Sequence, residues 1–510
     1  MLVRSHARID TIWLADRAHS LQLQGEIARP CAARCASALT SLFEHYWPPQ
    51  QKMSTQKLQR QERNMSRKTR ILILGGGFAG VEVARVLERL LEPRDAEIRL
   101  VSRDNFLLFT PMLHEVAASD LDITTIVNPI RKMVHRTEFI AADVNAIDLI
   151  EQTVTIAHGA DRHTHLLGYD HVVLALGSVP HFRGITGLEQ NAMTMKTLED
   201  AITLRNRMIA HLEEAEPDCS EITRDAMLTM VVVGGGFAGV ETVSGIYDFM
   251  ESAVRAYPNL SPSMLRVVLI QAGSHLLPEL GSELGVLTRD KLVSRGIEVL
   301  LNRRLTAVTP DDVTLDDGRL IPTKFVVWTG GNAAPPELAH LTTASNGARV
   351  ITTRTMLVEG HPNVWALGDC ARIPDGNGGY YPPTAQHALR EARVLAENLA
   401  ASLQRRPMKE FTFNTIGQMA SIGRRSGVAQ ILGYKCSGFA AWFMWRTVYL
   451  TKLPRWEKRI HVALDWFLDL IFSKDTVQFT SFRAPGQGIP EKCSLETSAS
   501  NASSSSSQAE

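Results

Sequence analysis

The octapeptide GGGFAGVE stands at residues 75–82 and again, letter for letter, at residues 234–241. Each copy follows a short apolar run, ILIL at 71–74 and MVVV at 230–233, and each leads into a segment that reads as helix. Inside each copy lies Gly-x-Gly-x-x-Gly: Gly75, Gly77 and Gly80, then Gly234, Gly236 and Gly239. At a strand end the first glycine makes a tight turn and the second lets the backbone approach a pyrophosphate. The third lets the helix pack closely on the strand. The phosphate charge then sits at the positive end of the helix. One such set is a weak sign. Two, each opening a βαβ unit, predict two dinucleotide-binding folds in one chain.

Working outward, the second strand of each unit is expected at EIRLV, 97–101, and at RVVLI, 266–270. HVVLALG (171–177) and KFVVWTG (324–330) are apolar runs ending in glycine, Gly177 and Gly330. They sit at equivalent places after each glycine turn and read as strands returning to their own sheets. VWALGDCA, 364–371, reads as a further strand followed by Gly-Asp. Asp369 there can accept hydrogen bonds from a flavin's ribityl chain or order water at its pyrophosphate. The alternative for Asp369 is an ordinary turn or helix-capping aspartate. The predicted class is α/β: two Rossmann-like dinucleotide-binding domains, arranged as in glutathione-reductase-like flavoproteins, plus a C-terminal amphipathic helical region.

An acid normally holds the ribose hydroxyls at the end of the second strand. Neither unit has one there. The first ends in Ser102 and Arg103, a candidate ribose donor and a candidate adenine-stacking side chain. The second ends in Gln271. A neutral amide can bond a hydroxyl and does not repel a 2′-phosphate, yet no Arg or Lys follows closely, and His275 is the nearest basic residue. NADH is the expected donor, with NADPH also admitted.

The chain has 510 residues and a formal net charge of zero, enough for two or three domains and with no charge argument for nucleic acid. Its 6 cysteines do not make a disulfide framework. None lies between Cys35 and Cys219, which excludes a redox pair beside the first glycine turn. No metal site is expected. The longest stretch free of Asp, Glu, Lys and Arg runs from Ala226 to Val240 and contains a glycine turn. A membrane span needs roughly 20 apolar residues, so membrane contact is expected to be superficial. Residues 1–65 carry scattered arginines and no apolar core. Two readings stand: a targeting arm, or an upstream start, with Met65 or Met53 as the true one. Residues 481–510 are expected to be a disordered tail, rich in serine and alanine from about Ser494.

Over residues 69–475 the chain resembles the type II NADH dehydrogenases, single-chain, non-pumping NADH:quinone oxidoreductases. The doubled octapeptide carries the resemblance with LLFTPML (107–113), ALGDCA (366–371), PPTAQHA (382–388) and WRTVYLTK (445–452). The resemblance implies FAD on the first fold, touched by Gly75, Gly77, Phe78, Gly80 and Asp369. It implies the nicotinamide nucleotide on the second, touched by Gly234, Gly236, Gly239 and Gln271. Glu241 is similar to the family's acid near nicotinamide and flavin. Its alternative is simple complementarity to a helix dipole, and Glu82, at the same place in the first copy, keeps that alternative open. Gln386 resembles the family glutamine beside the flavin and quinone. Where many members carry a second glutamine, this chain has Arg390, which puts the quinone head-group preference in question. His387 reads as structural.

The implied domains are 66–195 with 350–415 for FAD, 196–349 for NAD(P)H, and 416–480 for membrane association. The last rests on two aromatic and basic segments, 439–453 and 456–472, suited to the headgroup level. Packing on the core or a homodimer contact is the alternative, and the roles are compatible. Truncation after about Gly438 is expected to free the protein from membranes and leave flavin reduction intact. The expected location is peripheral, on the cytoplasmic face of an inner membrane, or the mitochondrial inner membrane if the N-terminal arm is a targeting segment. The rivals are a flavoprotein reductase of a soluble acceptor, ferredoxin-reductase-like, and a non-catalytic nucleotide-binding sensor on membranes.

Overall fold

Apolar β-branched runs flanked by glycine turns become the central strands of two parallel sheets, as runs buried on both faces must. In chain order the elements that matter are β1 (Thr69–Leu74), α1 (Phe78–Leu90), β2 (Ala96–Ser102), α2 (Leu113–Ala117) and β3 (Glu138–Ala141). Then come β4 (Asp143–Asp148), β5 (Thr153–His158), β6 (His163–Gly168), β7 (His171–Leu174), β8 (Met193–Thr194) and α3 (Leu198–Ala215). The second unit has β9 (Thr229–Val233), α4 (Phe237–Ala253), β10 (Arg266–Gln271), β11 (Glu298–Leu301) and β12 (Phe325–Trp328). The chain continues with β13 (Leu357–Val358), β14 (His361–Ala366) and α5 (Ala385–Leu403). It closes with β15 (Gly417–Ser421), β16 (Gly427–Ile431), β17 (Tyr434–Gly438), α6 (Phe439–Lys452) and α7 (Trp456–Leu468). This computed structural model describes residues 68–217, 220–341, 349–469, 471–472 and 474–478. The expected N-terminal extension, 1–65, and tail, 481–510, lie outside the described residues.

The first sheet is six-stranded, in the order β13-β14-β7-β1-β2-β3. β1 is parallel to β2 on one side and to β7 on the other. The second sheet is five-stranded, β8-β12-β9-β10-β11, with β9 parallel to β10 and β12. In each, the glycine turn leaves the C-terminal end of a strand from which the sheet grows to both sides, the switch point where open α/β sheets take ligands. The returning strands read from sequence are β7 and β12, and β14 joins the first sheet beside β7.

Three three-stranded antiparallel sheets were not expected from sequence: β4-β5-β6, a small one formed by Leu305–Val308, Asp312–Leu315 and Leu320–Pro322, and β15-β16-β17. The last matters for the site. Ala420, Ile422, Val428, Trp445, Leu453, Val462 and Trp466 share one apolar cluster with Val240, Val243 and Ile246 of α4 and with Leu113 and Val116 of α2. The C-terminal segment is therefore built into the core of the second unit. No described helix is long and apolar enough to cross a membrane.

Candidate active site

The two glycine turns share their backbone geometry and hydrogen bonds. Gly75 has φ +113° and Gly234 φ +118°, values glycine adopts readily. Each donates its N–H to the neighbouring second strand, Gly75 to Val101 O and Gly234 to Ile270 O, both at 2.8 Å. A Cβ on Gly80 or Gly239 would collide with the carbonyl oxygen of Gly75 or Gly234. The first and third glycines are thus demanded by packing within the chain. The second is not: a Cβ on Gly77 would meet nothing within 4 Å, and one on Gly236 only Glu279 Oε1 at 4.0 Å. Gly77 and Gly236 are also the N-caps of α1 and α4, with no side-chain cap and no acid in the first turn. Open space beside an uncapped positive helix end fits a pyrophosphate.

Around the first turn, Ser102 lies against Gly76, while Arg103 is exposed and pairs with Asp104 at 3.4 Å. Gly177 has φ +72° and open space around it. Asp369 accepts a hydrogen bond from Ser178 Oγ at 3.0 Å, and Lys196 Nζ lies 2.7 Å from Ser178 Oγ and 3.5 Å from Asp369. The Gly368 N–H donates to Glu391 Oε2 at 2.8 Å, and burial pushes that carboxyl up to about 7. Lys196 and Glu391 were invisible in the sequence reading, because no local motif links them to Gly-Asp. Cys370 is fully buried and donates its thiol to the carbonyls of Leu367 and Leu174; burial pushes it up to about 12, which leaves it inert.

Around the second turn, Gln271 is committed at both ends. Its Oε1 accepts from Gly235 N–H at 3.0 Å and its Nε2 donates to His275 O at 3.3 Å. It braces the loop that follows the strand. Arg303 donates its backbone N–H to Gln271 O, bringing a cation to this strand end across a long sequence gap, and its side chain pairs with Asp317 at 2.8 Å. Gly330 packs against the Trp328 ring and receives Arg183 Nε on its carbonyl at 3.2 Å.

The matching glutamates have different fates. Glu82 is tied by two cations, Arg85 at 3.2 Å and Arg393 of α5 at 2.9 Å. Glu241 turns to the C-terminal segment. Its Oε1 accepts the Ser421 N–H and the Trp445 indole N–H, both at 3.2 Å. Its other oxygen is 3.8 Å from His114 Nδ1. Burial pushes Glu241 up to about 8 and His114 down to about 4. At neutral pH both are uncharged, so this is a polar contact and not an ion pair. Helix-dipole complementarity does not account for a neutral acid held this way.

Glu241 borders a cavity of about 350 Å³, also lined by Glu115, Asp120, Ser244, Asp248 and Asp469. Burial pushes Glu115 up to about 7, against the pull of Arg446. Arg446 lies 3.7 Å from Glu115 and is sandwiched between Trp442 and Trp466 at 4.3 and 4.5 Å. Its side chain is 13% exposed, so this cation belongs to the site more than to the surface. His114 Nε2, Ser244 Oγ and Arg446 Nε have no protein partner. A polar cavity of this size admits water.

Gln386 and Arg390 share one helical turn of α5, with Arg390 Nη1 donating to Gln386 O at 2.8 Å and its guanidinium 4.2 Å from the Phe413 ring. Gln386 Nε2 donates to Gly417 O at 3.4 Å. His387 is buried with its Nδ1 2.7 Å from Thr384 Oγ1, while its Nε2 has no protein partner. Gln386 therefore grips the first residue of β15 and Glu241 the last, a separation of roughly 13 Å along the strand. The two expected catalytic residues share a strand but do not touch. Edge-on ring contacts join Phe78 of the first turn to Phe109 at 5.7 Å and Phe109 to Tyr449 at 6.2 Å, and Tyr449 leans on Trp445 at 4.8 Å. An apolar wall thus runs from the first cradle to Glu241.

Residues 69–392 match the family described as pyridine nucleotide-disulphide oxidoreductase, and 416–475 match the NDH2 C-terminal domain. The type II NADH:quinone oxidoreductase NdhA of Mycobacterium tuberculosis is 33% identical over 415 residues, 78% of this chain and 86% of that protein. A probable NADH dehydrogenase of Dictyostelium discoideum is 31% identical over 418 residues, 80% of this chain and 91% of that one. The fold also matches a solved structure of NDH2 from Plasmodium falciparum in complex with NADH, with a TM-score of 0.75 at 20% identity, covering 81% of this chain and 100% of that chain. With its nucleotide-binding core and its C-terminal domain both matched, and relatives above 30% identity along most of its length, the chain belongs to the type II NADH:quinone oxidoreductase family.

Proposed function

We propose that the chain performs the family's NADH:quinone oxidoreductase reaction with the following division of labour. FAD lies on the first turn: Gly75, Gly77, Phe78 and Gly80 hold its pyrophosphate side, Ser102 and Arg103 its adenosine, Gly177 and Asp369 its ring end. NADH lies on the second, against Gly234, Gly236, Gly239, Gln271 and Gly330. FAD, when bound, supplies the two-electron carrier between hydride donor and quinone. The observation that carries this reading is that, in both turns, the central glycine alone faces open space. Uncharged Gln271 lacks the carboxylate that would repel a 2′-phosphate, so NADPH is admitted beside NADH.

Hydride brings two electrons and one proton, and a quinol needs two protons, so one must come through the protein. Glu241 holds that proton at neutral pH. Glu115 and the polar cavity beside it return a proton from solvent. Gln386, with Arg390 one turn behind it, offers an amide to a quinone carbonyl at the other end of β15. The gap between the two ends calls for a water relay.

α6 and α7 seat the protein on the bilayer. Their inner faces are buried through Trp445, Leu453, Val462 and Trp466. Their outer faces expose Phe439 and Phe443, then Trp456, Ile460, Leu464 and Phe467 at helical spacing. Such a stripe beside Lys452 and Lys458 suits the interface between headgroups and acyl chains. The protein is peripheral on this reading, at the cytoplasmic face of an inner membrane, and a homodimer through the same helices is compatible with it.

The assignment of the two cradles is tested by Gly77→Ala and Gly236→Ala. Gly77→Ala is expected to fold and purify colourless. Gly236→Ala is expected to purify yellow and bind NADH poorly, with KM raised and FAD retained. The reverse pattern would overturn the assignment.

A further inference from the structure

The sheet β4-β5-β6 carries chemistry that neither glycine turn nor the C-terminal helices use. β5 and β6 are antiparallel, with His158 opposite His163 and Ile156 opposite His165. Side chains alternate between faces along a strand. His163 and His165 therefore leave the same face, and His158 joins them from directly across. The rings crowd: centroids are 4.0 Å apart for His158–His163, 4.7 Å for His158–His165 and 5.1 Å for His163–His165. One ring nitrogen from each lies within 4.8 Å of the other two.

The turn between the strands supplies a supporting group. Asp161 Oδ1 lies 2.7 Å from His163 Nδ1. A carboxylate there fixes the proton on Nδ1 and leaves the Nε2 lone pair free, the support that metal-ligating imidazoles usually have. Arg162, the cation of the same turn, is held on Asp143 at 3.1 Å.

We propose that His158, His163 and His165 form a three-imidazole site for a borderline divalent transition ion of the Zn²⁺ or Cu²⁺ class. Metal–nitrogen bonds are about 2.0–2.1 Å, so the three nitrogens must close to within about 4 Å of one another. His163 and His165 are exposed, so side-chain rotation alone achieves this. Three protein ligands leave the remaining positions to water. Imidazole does not suit Mg²⁺ or Ca²⁺, and Cu²⁺ is held more tightly than Zn²⁺ by such a set. No metal was expected from the sequence, because the spacing His-x4-His-x-His gains meaning only once the hairpin register is known.

The test is isothermal titration of the full-length, FAD-loaded, tag-free protein, stripped with EDTA. Zn²⁺ is expected to bind with about one more equivalent per chain in the wild type than in the triple variant H158A/H163A/H165A, and Mg²⁺ to bind neither. Asp161→Asn is expected to weaken Zn²⁺ about ten- to a hundredfold. Cu²⁺ added to the wild type should show an electron paramagnetic resonance signal split by several nitrogens, absent from the triple variant. If the triple variant fails to fold, His165→Ala, at an exposed position, is the substitute and should weaken Zn²⁺ by about tenfold or more. Equal Zn²⁺ uptake by wild type and variant, or no uptake by the wild type, would overturn the proposal.

Discussion

Glu82 and Glu241 occupy the same letter of the same octapeptide, yet one is an ion-pair anchor and the other a neutral acid. The difference lies in what packs on each helix. Arg393 of α5 reaches Glu82, while the indole of Trp445 and the Ser421 amide reach Glu241. The repeat made Glu241 legible as a candidate, and its protonation state was not legible, since it depends on partners far along the chain. Glu241 keeps its proton below about 8 and loses it above. The quinone half-reaction should therefore fall off as pH rises through about 8, with flavin reduction by NADH unaffected. Stopped-flow traces of Glu241→Gln should show a slow quinone step with no such fall. An acid raised from 4.5 to about 8 by folding contributes stability that is in place below pH 4.5 and is lost as pH rises to about 8. Thermal melts of Glu241→Gln should gain on wild type between pH ~5 and ~9, and a constant difference would count against a buried neutral acid.

Among the elements, the central strands and both glycine turns were readable because their signals are local: β-branched runs, then glycines at fixed offsets. The sheets β4-β5-β6 and β15-β16-β17 were not. Their strands are short and half-exposed, and histidine, glycine and serine dilute the alternation that would mark them. That omission hid the most consequential contact. α6 is read correctly as aromatic and basic, but Trp445 is fully buried and Phe443 is 60% exposed, so the helix serves two media at once. Truncation after Gly438 would strip Trp445 from the core and uncover Glu241, which makes that experiment uninformative about membranes. Trp445→Ala should cost roughly 3–5 kcal/mol of stability. Trp445→Phe keeps most of the packing and deletes one hydrogen bond that holds the Glu241 carboxyl down. Its pH limit for quinone reduction should therefore move upward, and a downward move would contradict the assigned hydrogen bond.

Across the whole molecule, the C-terminal segment packs its inner face onto α4 and closes over Glu241. The membrane contact proposed above therefore falls to the outer faces of α6 and α7. The double variant Phe443→Ser with Phe467→Ser should leave anaerobic flavin reduction unchanged and reduce pelleting with anionic phospholipid vesicles. Unchanged pelleting would move the contact elsewhere on the surface.

On this reading, electrons pass from a nicotinamide nucleotide through a bound flavin to a quinone in this one chain. An anaerobic titration of the purified yellow protein follows that path step by step. NADH should bleach the visible flavin band in proportion to bound FAD, and a water-soluble quinone analogue should restore the colour in full. A band that NADH does not bleach, or one that bleaches and stays bleached after quinone is added, would contradict the account.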